Sequence, residues 1–144
     1  MITRFGSSKR VAIHGGLVLK QDLGGHKGAC VKQAHRLVGL RTLGFRTSQV
    51  FSINDDGSIW AEYICGPTLK EVKATGLSAS QASSLKGIVE KQIEQRLYIG
   101  DLNHKNLIWK EDEGEWVIID CGAVRRQEEE EIRARIEKKW GFLP

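Results

Sequence analysis

One stretch limits what this chain can be more than any other. It runs Ile99-Gly100-Asp101-Leu102-Asn103-His104-Lys105-Asn106-Leu107-Ile108-Trp109 and is followed by Val117-Ile118-Ile119-Asp120-Cys121-Gly122. An acid precedes an amide by five residues, and the amide opens an apolar run that reads as a strand. After an acidic turn containing Gly114, a second apolar run ends in another acid followed by Cys-Gly. The pattern predicts a hairpin with Asn106 just before one strand and Asp120 just after the other, so that both side chains emerge at the same end. Asp101 sits on the loop leading in. Two carboxylates and an amide at one end of a hairpin suit a hard cation such as Mg²⁺, which takes oxygen ligands and shares them with phosphate.

That pattern resembles the catalytic loop and metal-binding segment of the protein-kinase fold, D-x-x-x-x-N followed by D-F-G. The resemblance implies that Asp101 is the catalytic base and that Asn106 and Asp120 hold the metal. It predicts what the rest of the chain must contain: a phosphate-covering loop, a strand lysine, a helix that faces it and a hinge.

Read in order, Ile2 to Phe5, Val11 to Ile13 and Leu17 to Lys20 are β-prone runs separated by Gly6-Ser7-Ser8-Lys9 and by Gly15-Gly16. They predict a three-strand antiparallel meander with a tight second turn. Gly6, Ser7 and Ser8 offer backbone N–H groups and hydroxyls that could cover phosphates, with one glycine where kinases show three. Lys20 ends its strand as the lysine of V-A-I-K does, and the resemblance makes it a second catalytic residue and a phosphate ligand. A helix is expected from about Lys27 to Leu43, with Cys30, Ala34, Leu37 and Val38 on one face and Gly44 as its C-cap. The kinase pattern wants a glutamate there to pair with the lysine. Gln33 occupies that register, and residues 27 to 43 hold no acid.

Val50 to Ile53 and Ser58 to Ile64 flank Asn54-Asp55-Asp56-Gly57, a hairpin turn. The second run leads into Cys65-Gly66-Pro67, like a kinase hinge in which the backbone of Glu62 and Ile64 meets an adenine edge, with the small Ala61 behind it. Pro67 suits the first turn of a short helix reaching about Thr75. Ser78 and Gln81 form a capping box opening a long helix whose stripe is Ala82, Leu85, Val89, Ile93 and Leu97. A last helix, Gln127 to Trp140, is acidic at its start and basic at its end, and docks through Ile132, Ile136 and Trp140.

Composition narrows the classes. A net charge of +4 without a basic stripe or interleaved aromatics gives no reason to expect nucleic acid. No apolar run reaches the length of a membrane span, and Met1 to Arg10 lack the apolar segment of a signal peptide, so a cytoplasmic protein is expected. If the chain is an effector, it is expected to be delivered into a host cell. Cys30, Cys65 and Cys121 form no C-x-x-C pair and read as free thiols, with Cys121 looking exposed beside the metal acid but better explained as buried and inert.

The expected fold is therefore α+β, a truncated protein-kinase-like bilobal fold. Residues 1–64 would form an N-lobe of antiparallel sheet plus one helix, and residues 65–144 a reduced helical C-lobe. The spacing is similar to the small kinase of the tRNA-modifying KEOPS complex, the RIO kinases, sugar and aminoglycoside phosphotransferases and minimal kinase-fold bacterial effectors. Those families commonly write the loop H-G-D-L; here Ile99 stands at the His, and Gly100 replaces the Arg of H-R-D. The resemblance implies ATP with Mg²⁺ or Mn²⁺, a protein serine/threonine acceptor and room for an activating or substrate-presenting partner. A small-molecule kinase and a pseudokinase that binds nucleotide without turnover are the alternatives. From Cys121 to Pro144 there is no Ser, Thr or Tyr, so control by activation-loop phosphorylation is not expected.

Overall fold

The computed structural model describes residues 2–5, 9–24 and 27–143, with the backbone alone for 2–5. The chain divides into two compact units, Met1–Ile64 and Cys65–Pro144.

In the first unit, strands β1 (Ile2–Phe5), β2 (Lys9–His14) and β3 (Leu17–Asp22) form the meander, turning at Gly15 with φ 59°. Helix α1 (Ala29–Thr42) follows, and then β4 (Val50–Ile53) and β5 (Ile59–Glu62). The five strands lie in the order β1-β2-β3-β5-β4, so β5 inserts beside β3. The turn between β4 and β5 closes through Asp56, whose carboxylate accepts from both the N–H and the hydroxyl of Ser58. Helix α1 packs on the sheet through Cys30 and Ala34 against Ile59, with Val50 at the edge of that cluster.

Two expectations for α1 change. Val38 is 46% exposed, and Leu40 takes its place in the buried row with Cys30, Gln33, Ala34 and Leu37. The helix begins after Gly28, and its cap comes from the preceding strand. The Asp22 carboxylate accepts from the N–H of Gly28 and of Cys30, both at 2.8 Å. Those donors have no partner within the helix, so an acid there is worth about 0.5–2 kcal/mol. Burial pulls the Asp22 carboxyl upward, but these two backbone N–H groups, the Cys30 thiol and nearby Lys9 outweigh it and hold the group below its ordinary value.

In the second unit, α2 (Leu69–Thr75) and α3 (Ala79–Gln95) are both opened by reciprocal capping boxes. The Ser78–Gln81 box is as expected. At α2 the cap is Thr68 with Glu71, so Pro67 lies one residue outside the helix rather than in its first turn. A short β6 (Leu97–Ile99) pairs with β9 (Val124–Arg126), while β7 (Leu107–Lys110) and β8 (Glu115–Ile118) make the hairpin. Helix α4 (Glu129–Trp140) buries Ile132, Ile136 and Trp140.

The core of this unit gathers around Trp116, which is 1% exposed and wedged against α3. Its indole N–H donates to the Gln81 carbonyl at 3.0 Å, and its backbone N–H donates to Ser84 Oγ at 3.0 Å. Val89 contributes less than the stripe predicted, being only partly buried, and Gln92 is buried instead. The entry to α2 is tied to β7. Trp109 N–H donates to the Pro67 carbonyl at 2.9 Å, and a Cβ on Gly66 would fall 2.0 Å from the Trp109 carbonyl oxygen. Among the described residues no helix is long and apolar enough to cross a membrane.

Candidate active site

The loop that carries Asp101 is built by close backbone approach. Helix α3 stops at Arg96, a left-handed C-cap, and β6 then turns the chain toward the hairpin. Gly100 N–H donates to the Ala123 carbonyl at 2.9 Å, and Gly122 N–H donates back to the Gly100 carbonyl at 2.7 Å. The two segments lie so near each other that side chains do not fit between them. A Cβ on Gly100 would sit 2.8 Å from the Ala123 oxygen, and one on Gly122 would sit 3.0 Å from Asp101 Cβ. This is a physical reason for the missing Arg before Asp101. At Ile99, in the His position, the side chain is buried in the core and the N–H donates to Gln92 Oε1 at 3.1 Å.

Asp101 itself has φ 53°, a left-handed conformation that non-glycine residues rarely adopt. Such a conformation costs roughly 1–2 kcal/mol and persists where surrounding contacts impose it. The imposing contacts are local. Asp101's carbonyl accepts from Asn103 N–H at 2.9 Å and from Asn106 Nδ2 at 2.7 Å. Its carboxylate, exposed, accepts from Asn103 Nδ2 at 3.2 Å.

The Asn106 contact also settles which way the amide faces. A carbonyl can only accept, so the NH₂ end points at Asp101 and the Oδ1 end remains as an oxygen ligand. Asn106's own carbonyl accepts from Ile119 N–H at 3.0 Å, one residue before Asp120, and Leu107 pairs with Ile118. Asn106 therefore ties the two acidic segments together, its side-chain amide bonding the Asp101 carbonyl and its own carbonyl bonding the N–H of Ile119, the residue before Asp120. Asp120 Oδ1 accepts from the Cys121 N–H at 2.7 Å. Cys121 is buried at 4% exposure, which corrects its exposed appearance in the sequence and agrees with an inert thiol.

An amide oxygen and a carboxylate at the same end of one hairpin fit a hard divalent cation that completes its shell with water and phosphate oxygens. Among the described residues no group of three or more His, Cys, Asp or Glu side chains could enclose a metal.

In the first unit, Lys20 and Gln33 are both buried, and Lys20 Nζ donates to Gln33 Oε1 at 3.3 Å. Gln33 thus occupies the register that the resemblance assigns to a glutamate. Beside them the Cys30 thiol is pushed up to about 12, first by burial and then by the Asp22 carboxylate that accepts its hydrogen bond. Ala61 is 1% exposed on β5, and Ile64 is buried two residues past the end of that strand. Glu62 is held from three sides that the sequence did not announce. Arg46 grips its carboxylate with a two-pronged pair at 2.9 and 3.1 Å, Ser48 Oγ donates to its carbonyl at 2.7 Å, and its N–H donates to the Gln49 carbonyl at 2.7 Å. Gly6, Ser7 and Ser8 lie outside the described residues.

No family model matches the sequence, and no curated protein matches it. Solved structures do match. The chain superposes on monomeric WbdD with a TM-score of 0.69 at 15% identity, covering 95% of this chain and 38% of that one. On the bifunctional kinase-methyltransferase WbdD the TM-score is 0.60 at 15% identity, covering 83% and 30%. On the ADP/Mg²⁺-phosphoaspartate complex of Rio2 kinase from Chaetomium thermophilum it is 0.60 at 14% identity, covering 99% and 56%. The fold is kinase-like. The chain spans between 30% and 56% of the length of these kinase-fold neighbours. Within that shared fold, the α+β organisation expected from the sequence holds, with, among the described residues, five antiparallel strands and one helix before residue 65 and three helices after it.

Proposed function

We propose that this protein transfers the γ-phosphoryl group of ATP to a serine or threonine hydroxyl of a protein acceptor. The observation that carries the reading is Asn106 bonding both acidic segments, through its side-chain amide to the Asp101 carbonyl and through its own carbonyl to the N–H before Asp120, with Asp101 in a left-handed conformation. Phosphoryl transfer asks a protein for positioning and charge neutralisation more than for covalent chemistry. Mg²⁺ or Mn²⁺, when bound, supplies charge neutralisation at the phosphates, and Asn106 Oδ1 with the Asp120 carboxylate would hold it. Asp101 orients the acceptor hydroxyl and takes its proton as the acceptor oxygen bonds to phosphorus. The bond from phosphorus to the departing ADP oxygen breaks in the same displacement. Lys20 is assigned to the phosphates, with Gly6, Ser7 and Ser8 as their covering loop and the backbone of Glu62 and Ile64 as the adenine edge.

The amide at Gln33 favours a second reading, a nucleotide-binding protein without turnover. It can accept a hydrogen bond from Lys20 but brings no charge to it. Radiolabelled ATP with Mg²⁺ or Mn²⁺ decides between the two. Label appearing in a Ser/Thr acceptor, and absent with Asp120→Ala, supports transfer. Nucleotide binding without label supports the second reading.

A further inference from the structure

Four cationic or basic groups collect beside the Asp101 loop, all within the second unit. Lys70 and Lys73 stand one turn apart on the exposed side of α2. Lys70's backbone N–H donates to the His104 carbonyl at 3.1 Å, which pins α2 to the loop three residues beyond Asp101. Lys73 Nζ lies 3.5 Å from His104 Nε2 and 4.1 Å from the centroid of the Phe142 ring. Lys139, from the end of α4, is near enough to act on the same imidazole and donates to the Tyr98 hydroxyl at 3.4 Å.

Nothing in this group offsets the rest. Among the described residues, the side-chain contacts of these lysines go to His104, the Phe142 ring and Tyr98, none to a carboxylate. Like charges gathered this way repel one another, and an anion is what relieves the repulsion.

We propose that Lys70, Lys73 and Lys139, gathered around His104, dock an acidic segment of the protein acceptor, so that the hydroxyl presented to Asp101 is flanked by aspartate or glutamate. The proposal rests on the phosphoryl-transfer reading and adds the substrate class to it. The cluster is small, spanning one helical turn, one loop residue and one helix end, which matches a few side-chain carboxylates rather than a phosphate backbone. The aromatic rings beside it are already faced by cations, Phe142 by Lys73 and Tyr98 by Arg135 and Lys139. Those rings are not offered for base stacking, the usual contribution of aromatics to single-stranded nucleic-acid sites.

The test uses the full chain and a fluorescein-labelled serine peptide flanked by Asp and Glu. Fluorescence anisotropy compares it with a Lys-flanked control and with a single-stranded RNA oligomer. Phosphoryl transfer to the same peptides is measured in parallel. The expected result is preference for the acidic peptide, weakening as salt rises, and a loss of about fivefold in affinity in Lys70→Ala/Lys73→Ala, the scale of two exposed charge contacts. Transfer to a neutral peptide should be unchanged in that variant. Salt dependence in the wild type keeps the test decisive even if the variant folds poorly. Equal binding of acidic and basic peptides, or tighter binding of RNA, overturns the docking proposal. Acidic-peptide binding with no transfer to any peptide leaves the docking surface standing and removes the phosphotransferase reading.

Discussion

Lys20 and Asp101 are held by different means, and the contrast separates the two units. In the first unit the buried lysine meets the tip of a glutamine side chain across 3.3 Å, between a strand and a helix. In the second unit the acid is fixed by its own backbone, with φ 53° and a carbonyl bonded to both Asn103 and Asn106. Glycines at 100 and 122 let two chain segments come closer than any side chain permits. A contact between side-chain tips can be rebuilt by exchanging one residue, whereas a backbone approach admits no such exchange. The chain departs from the kinase pattern accordingly. It has Gln33 where the kinase pattern has the partner of Lys20, and around Asp101 it has Ile99 and Gly100, whose N–H groups bond Gln92 and Ala123.

The strongest way to break this contrast is to remove the acids themselves. On the proposed function, Asp101→Ala and Asp120→Ala each lower phosphate transfer by at least about a hundredfold, the scale of a lost catalytic base or charge partner. They should differ in binding. Calorimetry with ATP and Mg²⁺ is expected to show weakened binding for Asp120→Ala and nearly unchanged binding for Asp101→Ala. Equal and small effects from both would remove the assigned roles.

Gly122→Ala tests the backbone approach without touching any polar group. Its new Cβ would press on Asp101 Cβ at 3.0 Å, so the loop has to give way. Transfer should fall by roughly tenfold to a hundredfold, because small displacements of a positioned group are costly. Thermal unfolding should show a loss of about 1–3 kcal/mol, the usual cost of overpacking. Normal activity in this variant would mean that the Gly100–Gly122 contact does not position Asp101.

Gln33→Glu probes the other unit and should be far gentler. It places a carboxylate where the amide now meets Lys20 Nζ, and a buried pair of this kind ranges from neutral to favourable. Transfer is expected to stay level or rise by a few-fold in steady-state assays. A severe loss would show that Gln33 has another task.

The smallest effect belongs to Asp22→Ala, which leaves the acids of the second unit alone. Removing the α1 cap should cost about 1 kcal/mol at neutral pH in urea unfolding. Asp22's carboxyl lies below its ordinary value of 3.8 when folded, so its contribution is present above that pH and fades as pH falls through the folded value. The gap between wild type and variant should therefore close in acid. A gap that stays constant with pH would mean that the charge plays no part.

Elements with strong periodicity or punctuation were legible from the residues alone. The Gly15-Gly16 meander, the Ser78–Gln81 cap, the β7–β8 hairpin and the Ile132-Ile136-Trp140 row all stand where the pattern puts them. The losses were of two kinds. Strands β6 and β9 are three residues each and carry no alternation long enough to read; they exist because Ile99 and Val124 pair across the loop. Asp22 capping α1 and Arg46 gripping Glu62 join residues eight and sixteen apart, and no local pattern announces such bonds. Val38 failed for a related reason. A helix face is chosen by what it packs on, and the sheet selected Leu40 instead. At the site, spacing indicated Asp101, Asn106 and Asp120 as a group, but the left-handed turn at Asp101 had no signature beyond Gly100 before it.

Gly66, Gly100 and Gly122 share one property, since a methyl group at any of them would run into a neighbouring segment at 2.0, 2.8 and 3.0 Å. That makes them fixed points under mutational drift. Ile99, Gln33 and Cys121 are positions where this sequence differs from the kinase pattern, and none of them is closed in by such an approach. A descendant chain is free to exchange its surface, its hinge side chains and even the partner of its lysine. It is expected to keep glycine at 66, 100 and 122, and saturation mutagenesis should find every replacement at those three positions costly.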